Sequence, residues 1–170
     1  MGPEARAAVP ALIGLLKDDE LEVRRQAAVT LGEFGPDAAA AAKPLAEALR
    51  DRSWRVRQQV AIALGELGSE AHTAVPALAG ALKDPVAVVR RTAAHALGRI
   101  ATDAPKAVPP LVEALKDSAS DVRESAAEAL GEFGTGAKAA LPALRALAKD
   151  TDEDVRRAAA EAIRKITEGG

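Results

Sequence analysis

Apolar residues recur along this chain at spacings of three and four, the pattern of helices that bury one face. Between Pro36 and Arg50 the stripe is Ala38, Ala41, Leu45 and Leu49, which predicts a first helix, here helix A. An aspartate, Asp51, opens a short turn. A second helix, helix B, is predicted from Ser53 to Leu67, with Gly68 placed where a left-handed residue would end it. In the preceding copy, at about 100° per residue, Val23, Ala27, Leu31 and Phe34 of helix B share one core arc. Glu22, Arg25, Gln26, Val29 and Glu33 fall on the opposite arc and should face solvent.

This helix pair is repeated. Val–Arg occurs at Val23–Arg24, Val56–Arg57, Val89–Arg90, Val122–Arg123 and Val155–Arg156, every interval being 33 residues. The same shift carries Leu12 onto Leu45, Leu78, Leu111 and Leu144, and Asp18 onto Asp51, Asp84, Asp117 and Asp150. A fixed period of this length is the mark of a stacked repeat architecture. The expected fold is all-α, a single solenoid of five two-helix units spanning 2–35, 36–68, 69–101, 102–134 and 135–168.

Two residue types refine that expectation. A proline sits in each helix A (Pro10, Pro44, Pro76, Pro109, Pro142), where its missing N–H should kink the helix or mark a late start. Gly32, Gly65, Gly98 and Gly131 fall mid-helix in B, although glycine there costs about 1 kcal/mol relative to alanine. Close approach of the next unit explains them, because no Cβ would fit. Arg164 holds that position in the last unit and, with Arg145, Glu161 and Lys165, makes a polar capping face. The first unit instead has Ile13 and Leu21 where the last has Arg145 and Glu153, so self-association through the N-terminal end is the alternative to a monomer.

Composition narrows the class. Trp54, Phe34 and Phe133 are the only aromatics, against abundant helix formers. Twenty-three basic and 25 acidic residues leave no basic excess for nucleic acid. No apolar run reaches the roughly 18–20 residues that span a bilayer, and MGPEAR lacks the layout of a signal peptide. With no cysteine there is neither a disulfide framework nor a thiol nucleophile. A cytoplasmic protein without membrane contact is the expectation.

The motif DSASDVRESAAEALGEFG at 117–134, its counterpart DPVAVVRRTAAHALGRIA at 84–101, and the preceding A-x-x-A-x-P-x-L resemble HEAT repeats, and more narrowly the HEAT-like units of phycobilin lyases. The resemblance covers essentially the whole chain. It implies a right-handed superhelix with helices B on the concave face and helices A on the convex one. It further implies a ladder between neighbouring units, here Asp18 through Asp150 with Arg24 through Arg156, and it matches Trp54 to a position often occupied by tryptophan in such units.

Candidate chemistry is sparse. Recurrence of the Asp–Arg set in every unit argues for a stitch between units, since catalysis needs one special copy. His72 and His95 are the only histidines, without the ligand spacing of a metal site. HEAT-fold deoxyhypusine hydroxylases hold iron on His–Glu pairs, but here His72 precedes Thr73 and His95 precedes Ala96. Ser53, Ser69, Ser118, Ser120 and Ser125 fall mostly at turns and helix starts, where hydroxyls cap backbone donors. HEAT-like DNA glycosylases use a basic concave surface, whereas this solvent arc carries Glu22, Glu33, Glu66, Glu128, Glu132 and Glu161.

The expected function is therefore a non-catalytic scaffold, with no cofactor and no metal, that binds a protein or peptide on the concave face. One row across that face reads Val29, Ile62, His95, Glu128 and Glu161. The candidate contact residues are Arg25, Val29, Gln58, Gln59, Ile62, Arg91 and His95, with Trp54 read as a packed residue at the start of its helix. The competing reading is a self-assembling or purely structural array without an evolved ligand. The unbroken period suits a consensus-derived or designed sequence as well as a natural one.

Overall fold

A computed structural model describes residues 3–168, and among them every regular element is helical. The five B helices are α2 (Leu21–Glu33), α4 (Trp54–Glu66), α6 (Ala87–Ile100), α8 (Ser120–Glu132) and α10 (Glu153–Glu168). Between them lie α1 (Pro3–Leu15), α3 (Ala42–Ala48), α5 (Val75–Ala81), α7 (Ala104–Ala114) and α9 (Leu141–Ala146). No described helix is long and apolar enough to cross a membrane.

Helix A takes two forms. Before α3, α5 and α9 the chain runs as a 3-10 helix (Gly35–Ala41, Gly68–Ala74 and Gly134–Ala140), broken at Ala38, Ala71 and Ala137 by non-helical backbone angles. The α-helix then starts late, with Pro44, Pro76 and Pro142 in its first turn, where a missing N–H leaves no bond unmade. In the first and fourth units α1 and α7 instead run through Pro10 and Pro109. The continuous stripe expected from Pro36 to Arg50 is thus two helical pieces, although Ala38, Ala41, Leu45 and Leu49 are all buried.

The core is a double row of leucines. Leu45, Leu78, Leu111 and Leu144 come from helices A; Leu31, Leu64, Leu97 and Leu130 come from helices B, and all eight are fully buried. Each contributes about 2 kcal/mol by leaving water. Ala28, Ala61, Ala94 and Ala127 are equally buried, because the neighbouring unit covers them.

Helices B approach one another at backbone distance. A Cβ built on Gly32 would lie 3.0 Å from Ala63 Cα, on Gly65 3.2 Å from Ala96 Cα, on Gly98 2.9 Å from Ala129 Cα, and on Gly131 3.2 Å from Ala162 Cα. The glycines therefore permit the packing, as their position suggested. Glycine also ends helix B: Gly35, Gly68 and Gly134 have φ of 53°, 58° and 50°. The third unit has Ala101 there, at φ 43°, followed by Asp103 at φ 53°. An L-residue with a Cβ is strained in that region.

Each B helix begins on the aspartate of the preceding turn. The residues before α2, α4, α6 and α8 are extended and make no side-chain cap. Asp18, Asp51, Asp84 and Asp117 instead accept the N–H of Glu20, Ser53, Val86 and Ala119 at 2.8–2.9 Å. The capping role expected of Ser53 accordingly belongs to Asp51, two residues earlier. Ser125 departs further from that expectation, being buried within α8.

The same carboxylates bridge the units. Arg24 Nε donates to Asp51 at 2.7 Å, Arg57 Nε to Asp84 at 2.6 Å, Arg90 Nε to Asp117 at 2.7 Å and Arg123 Nε to Asp150 at 2.8 Å. In each pair Nη2 meets the second oxygen, so the contact is bidentate. Nη1 turns back to the carbonyl of Asp18, Asp51, Asp84 or Asp117 in the arginine's own unit. These hydrogen bonds raise all four arginines above their ordinary value and hold the carboxyls of Asp117 and Asp150 below theirs. Burial pushes Asp84 up, but Arg57 and the Val86 N–H leave it lowered.

Arg156 occupies the ladder position in α10 yet, among the described residues, bonds only the carbonyls of Asp150 and Thr151. Arg90→Ala should accordingly cost about 3 kcal/mol, by stranding Asp117. Arg156→Ala should cost only about 1 kcal/mol. Urea denaturation of the two variants checks this, and equal losses would remove the bridge as the cause.

Opposite signs are expected at Gly98 within α6 and at Ala101 just after it. Gly98→Ala forces a Cβ against Ala129 and should destabilise by about 1–3 kcal/mol, despite alanine's better helix propensity. Ala101→Gly relieves a left-handed alanine and should stabilise by about 1 kcal/mol. Thermal melts distinguish these from propensity alone, which predicts the reverse at Gly98.

Candidate functional site

Since helices B bury one arc and leave the other free, their outer arcs line up across the units. Arg25 and Val29 lie half-buried on α2, Arg25 paired with Glu22 at 2.8 Å. On α4, Gln58 and Gln59 are half-buried and Ile62 is 36% exposed. Arg91 and His95 are exposed on α6, with Arg91 3.8 Å from Asp121 of α8. These seven residues therefore spread over three successive helices.

A hollow on this face lies further along. A groove of about 750 Å³ runs between α6, α8 and α10, lined by His95, Arg99, Glu124, Glu128, Asp154, Arg157, Glu161 and Lys165. Of the seven candidate residues only His95 reaches it. Glu124 and Arg157 continue the row of Arg25, Gln58 and Arg91, and Asp154 joins them because a groove depends on the spacing of three helices. The available signal was the acidic turn in the Val29–Ile62–His95 row, which continues as Glu128 and Glu161.

Charge pairing organises the rim. Arg99 donates to the Gly65 carbonyl at 3.0 Å and to Glu66 at 3.1 Å, and Lys165 reaches Glu132 at 2.7 Å. Both pairs join residues one period apart. Their aliphatic stems also cross the helix glycines, Arg99 Cδ being 3.5 Å from a Cβ built on Gly65, and Lys165 Cδ 3.4 Å from one on Gly131. Exposed pairs of this kind add little to stability, so their effect is to fix side-chain positions along the groove.

Glu124 is different. Burial, then the negative charges of Glu128 and Asp154, push its carboxyl above the ordinary value, against the opposing pull of Arg157. Arg157 is itself ion-paired to Asp154.

Other candidates are placed plainly. His72 is exposed, its Nδ1 3.2 Å from the Ser69 carbonyl. Among the described residues no group of three or more His, Asp or Glu is arranged to hold a metal. Trp54, expected to be packed, is 37% exposed at the first residue of α4, with the Arg55 guanidinium 4.9 Å from its ring centroid. The equivalent positions in the adjacent units hold Leu21 and Ala87. Ile13 and Leu21 are half-buried and pack against the core, whereas Leu15 is exposed.

Stacked helix pairs joined by a repeated charged ladder define an α-solenoid. The model of HEAT repeats matches residues 42–131 and 108–168, that of the HEAT-like repeat 1–34, and that of the PBS lyase HEAT-like repeat 23–51. The chain belongs to the HEAT-repeat family.

Solved structures agree on the fold. An engineered protein is 26% identical over 99% of this chain and 86% of its own, with a TM-score of 0.76. A chain in the complex of CpcE and CpcF of phycocyanin lyase from Nostoc sp. PCC7120 is 29% identical, with a TM-score of 0.81. The match covers 94% of this chain but only 65% of that one. A designed armadillo repeat protein in complex with the peptide (KR)4 is 23% identical over 94% of this chain and 82% of its own, at a TM-score of 0.77. Comparison with curated proteins gives no match.

The Glu124 shift has a measurable consequence. A carboxyl raised in the folded state favours folding below its unfolded pKa and loses that advantage as pH rises through the folded value. Glu124→Gln should thus raise the melting temperature at pH 7, and the gain should vanish below about pH 4, where both forms are neutral. A gain that persisted in acid would assign the effect to packing.

Proposed function

We propose that this chain is one array of five helix pairs, with unit boundaries at 2–35, 36–68, 69–101, 102–134 and 135–168, acting as a non-catalytic scaffold. Its ligand is a protein or peptide segment lying across α2, α4, α6, α8 and α10. The observation that carries this reading is the groove between α6, α8 and α10, continuous with the row through Val29 and Ile62. Backbone contact at the four glycines draws helices B together on this side. That supports a concave B face; the right-handed sense of the superhelix is what the HEAT resemblance implies.

Charge and apolar residues divide the face into two parts. Ile62, Val29, Gln58 and Gln59 offer an apolar patch with amide edges, suited to aliphatic side chains. Glu124, Glu128 and Glu161 offer acceptors to the cationic or amide groups of the same segment. Two neighbours have partners of this general kind: one occurs in a complex of two lyase chains, another with the peptide (KR)4.

Panning a displayed random-peptide library on the immobilised protein tests the proposal. Enriched peptides should lose about tenfold or more in affinity, roughly 1.4 kcal/mol, with Ile62→Glu or Glu128→Lys. They should bind normally to Glu47→Lys, which lies on α3. Absence of enrichment, or loss only with Glu47→Lys, would overturn the B-face assignment.

A further inference from the structure

The ladder is open at both ends of the described chain. Asp18 accepts the Glu20 N–H but has no arginine across from it, and Arg156 bonds two carbonyls but no aspartate. Elsewhere each arginine meets the aspartate 27 residues on. Shifting a second copy by five periods of 33 residues puts its Asp18 where the partner of Arg156 would stand.

The end faces also have uncovered framework positions. The first unit carries Asp18, Asp19, Glu20 and Glu22 in its turn, while the last carries Arg145, Lys149, Arg156 and Arg164 beside Glu153, Asp154, Glu161 and Glu168. Ala160 is exposed, although Ala28, Ala61, Ala94 and Ala127 at its equivalent positions are fully buried. Val23 is half-buried, whereas Val56, Val89, Val122 and Val155 are fully buried. These are the residues a further unit would cover.

One contact of that stack cannot form. The four glycine positions each face an alanine 31 residues on, close enough that an added Cβ would sit 2.9–3.2 Å from its Cα. At the end of the array the glycine is replaced by Arg164, and the alanine it would meet on a second copy is replaced by Thr30. Arg164 is held on α10 by Glu161 at 2.6 Å and by Glu168 at 3.4 Å.

We propose that the two end faces are complementary halves of one unit-to-unit interface, and that Arg164 with Thr30 is the stop preventing a second copy of this chain from stacking head to tail. This reading concerns the ends and is independent of any ligand on the B face. A contact between unlike faces does not close on itself, so release of the stop gives open filaments.

The test compares four versions of the 170-residue chain by sedimentation velocity over a range of concentrations. The parent chain should remain monomeric. Thr30→Ala/Arg164→Gly should grow with concentration to multiples of the chain mass, and shrink again in high salt, which screens the end charges. Adding Asp18→Ala to that pair should abolish growth. Thr30→Ala/Arg164→Ala keeps a strong helix former in α10, and serves if circular dichroism shows the glycine version unfolded. It should assemble less than the glycine version when that version folds, and more than the parent in either case. Assembly of the parent chain to the same extent would overturn the stop. Folded variants that stay monomeric, or growth indifferent to Asp18, would overturn the complementary interface.

Discussion

Everything in this molecule rests on an aspartate that serves two turns at once. Asp51 closes its own turn by accepting the Ser53 N–H, and the same carboxylate receives the fork of Arg24 from the unit before. Arg24, nearly fully buried, also grips the Asp18 carbonyl, so one guanidinium is bonded to two successive turns. A charge in that position is tolerable only with its full set of partners. Turn geometry and unit spacing are therefore set together.

Helix B is pinned to its neighbour a second time, two turns later. Arg24 and Gly32 lie eight residues apart on α2, the first bonded forward to Asp51 and the second in backbone contact with Ala63. The two attachments differ in kind. One is directional and charged, the other steric and permissive. Together they fix both the distance and the angle between successive B helices, which neither could do alone. The outer arc of those helices takes no part in either attachment, leaving its composition free to vary for recognition.

Much of this was legible in the residues. Period, paired helices, the glycine contacts and the odd status of Arg164 follow from identities recurring at fixed offsets, because each unit repeats the same physical problem. Features that escaped depend on departures within a unit. Pro44 and Pro109 read alike as prolines, but only the first follows a glycine-initiated 3-10 segment; the second lies inside a helix that starts at Ala104. Trp54 reads as a packed aromatic at a helix start, yet it is 37% exposed there, because burial depends on what other helices bring against it and not on residue type. The groove around Glu124 was hidden for the same reason, being a property of three helices and of no single stretch of sequence.

The connection at Ala101–Asp103 gives the array an uneven mechanical profile. It lacks the 3-10 segment found after α2, α4 and α8, carries two left-handed residues that are not glycine, and buries the Thr102 hydroxyl without a partner. In a one-dimensional stack, stability is the sum of units and their interfaces, so a single costly junction becomes the natural boundary between cooperative segments. That cost falls at the junction where α6 and α8 are held by the Arg90–Asp117 bridge and by the tightest of the glycine contacts, Gly98 against Ala129. The array is thus regular in its attachments but uneven in the cost of its turns.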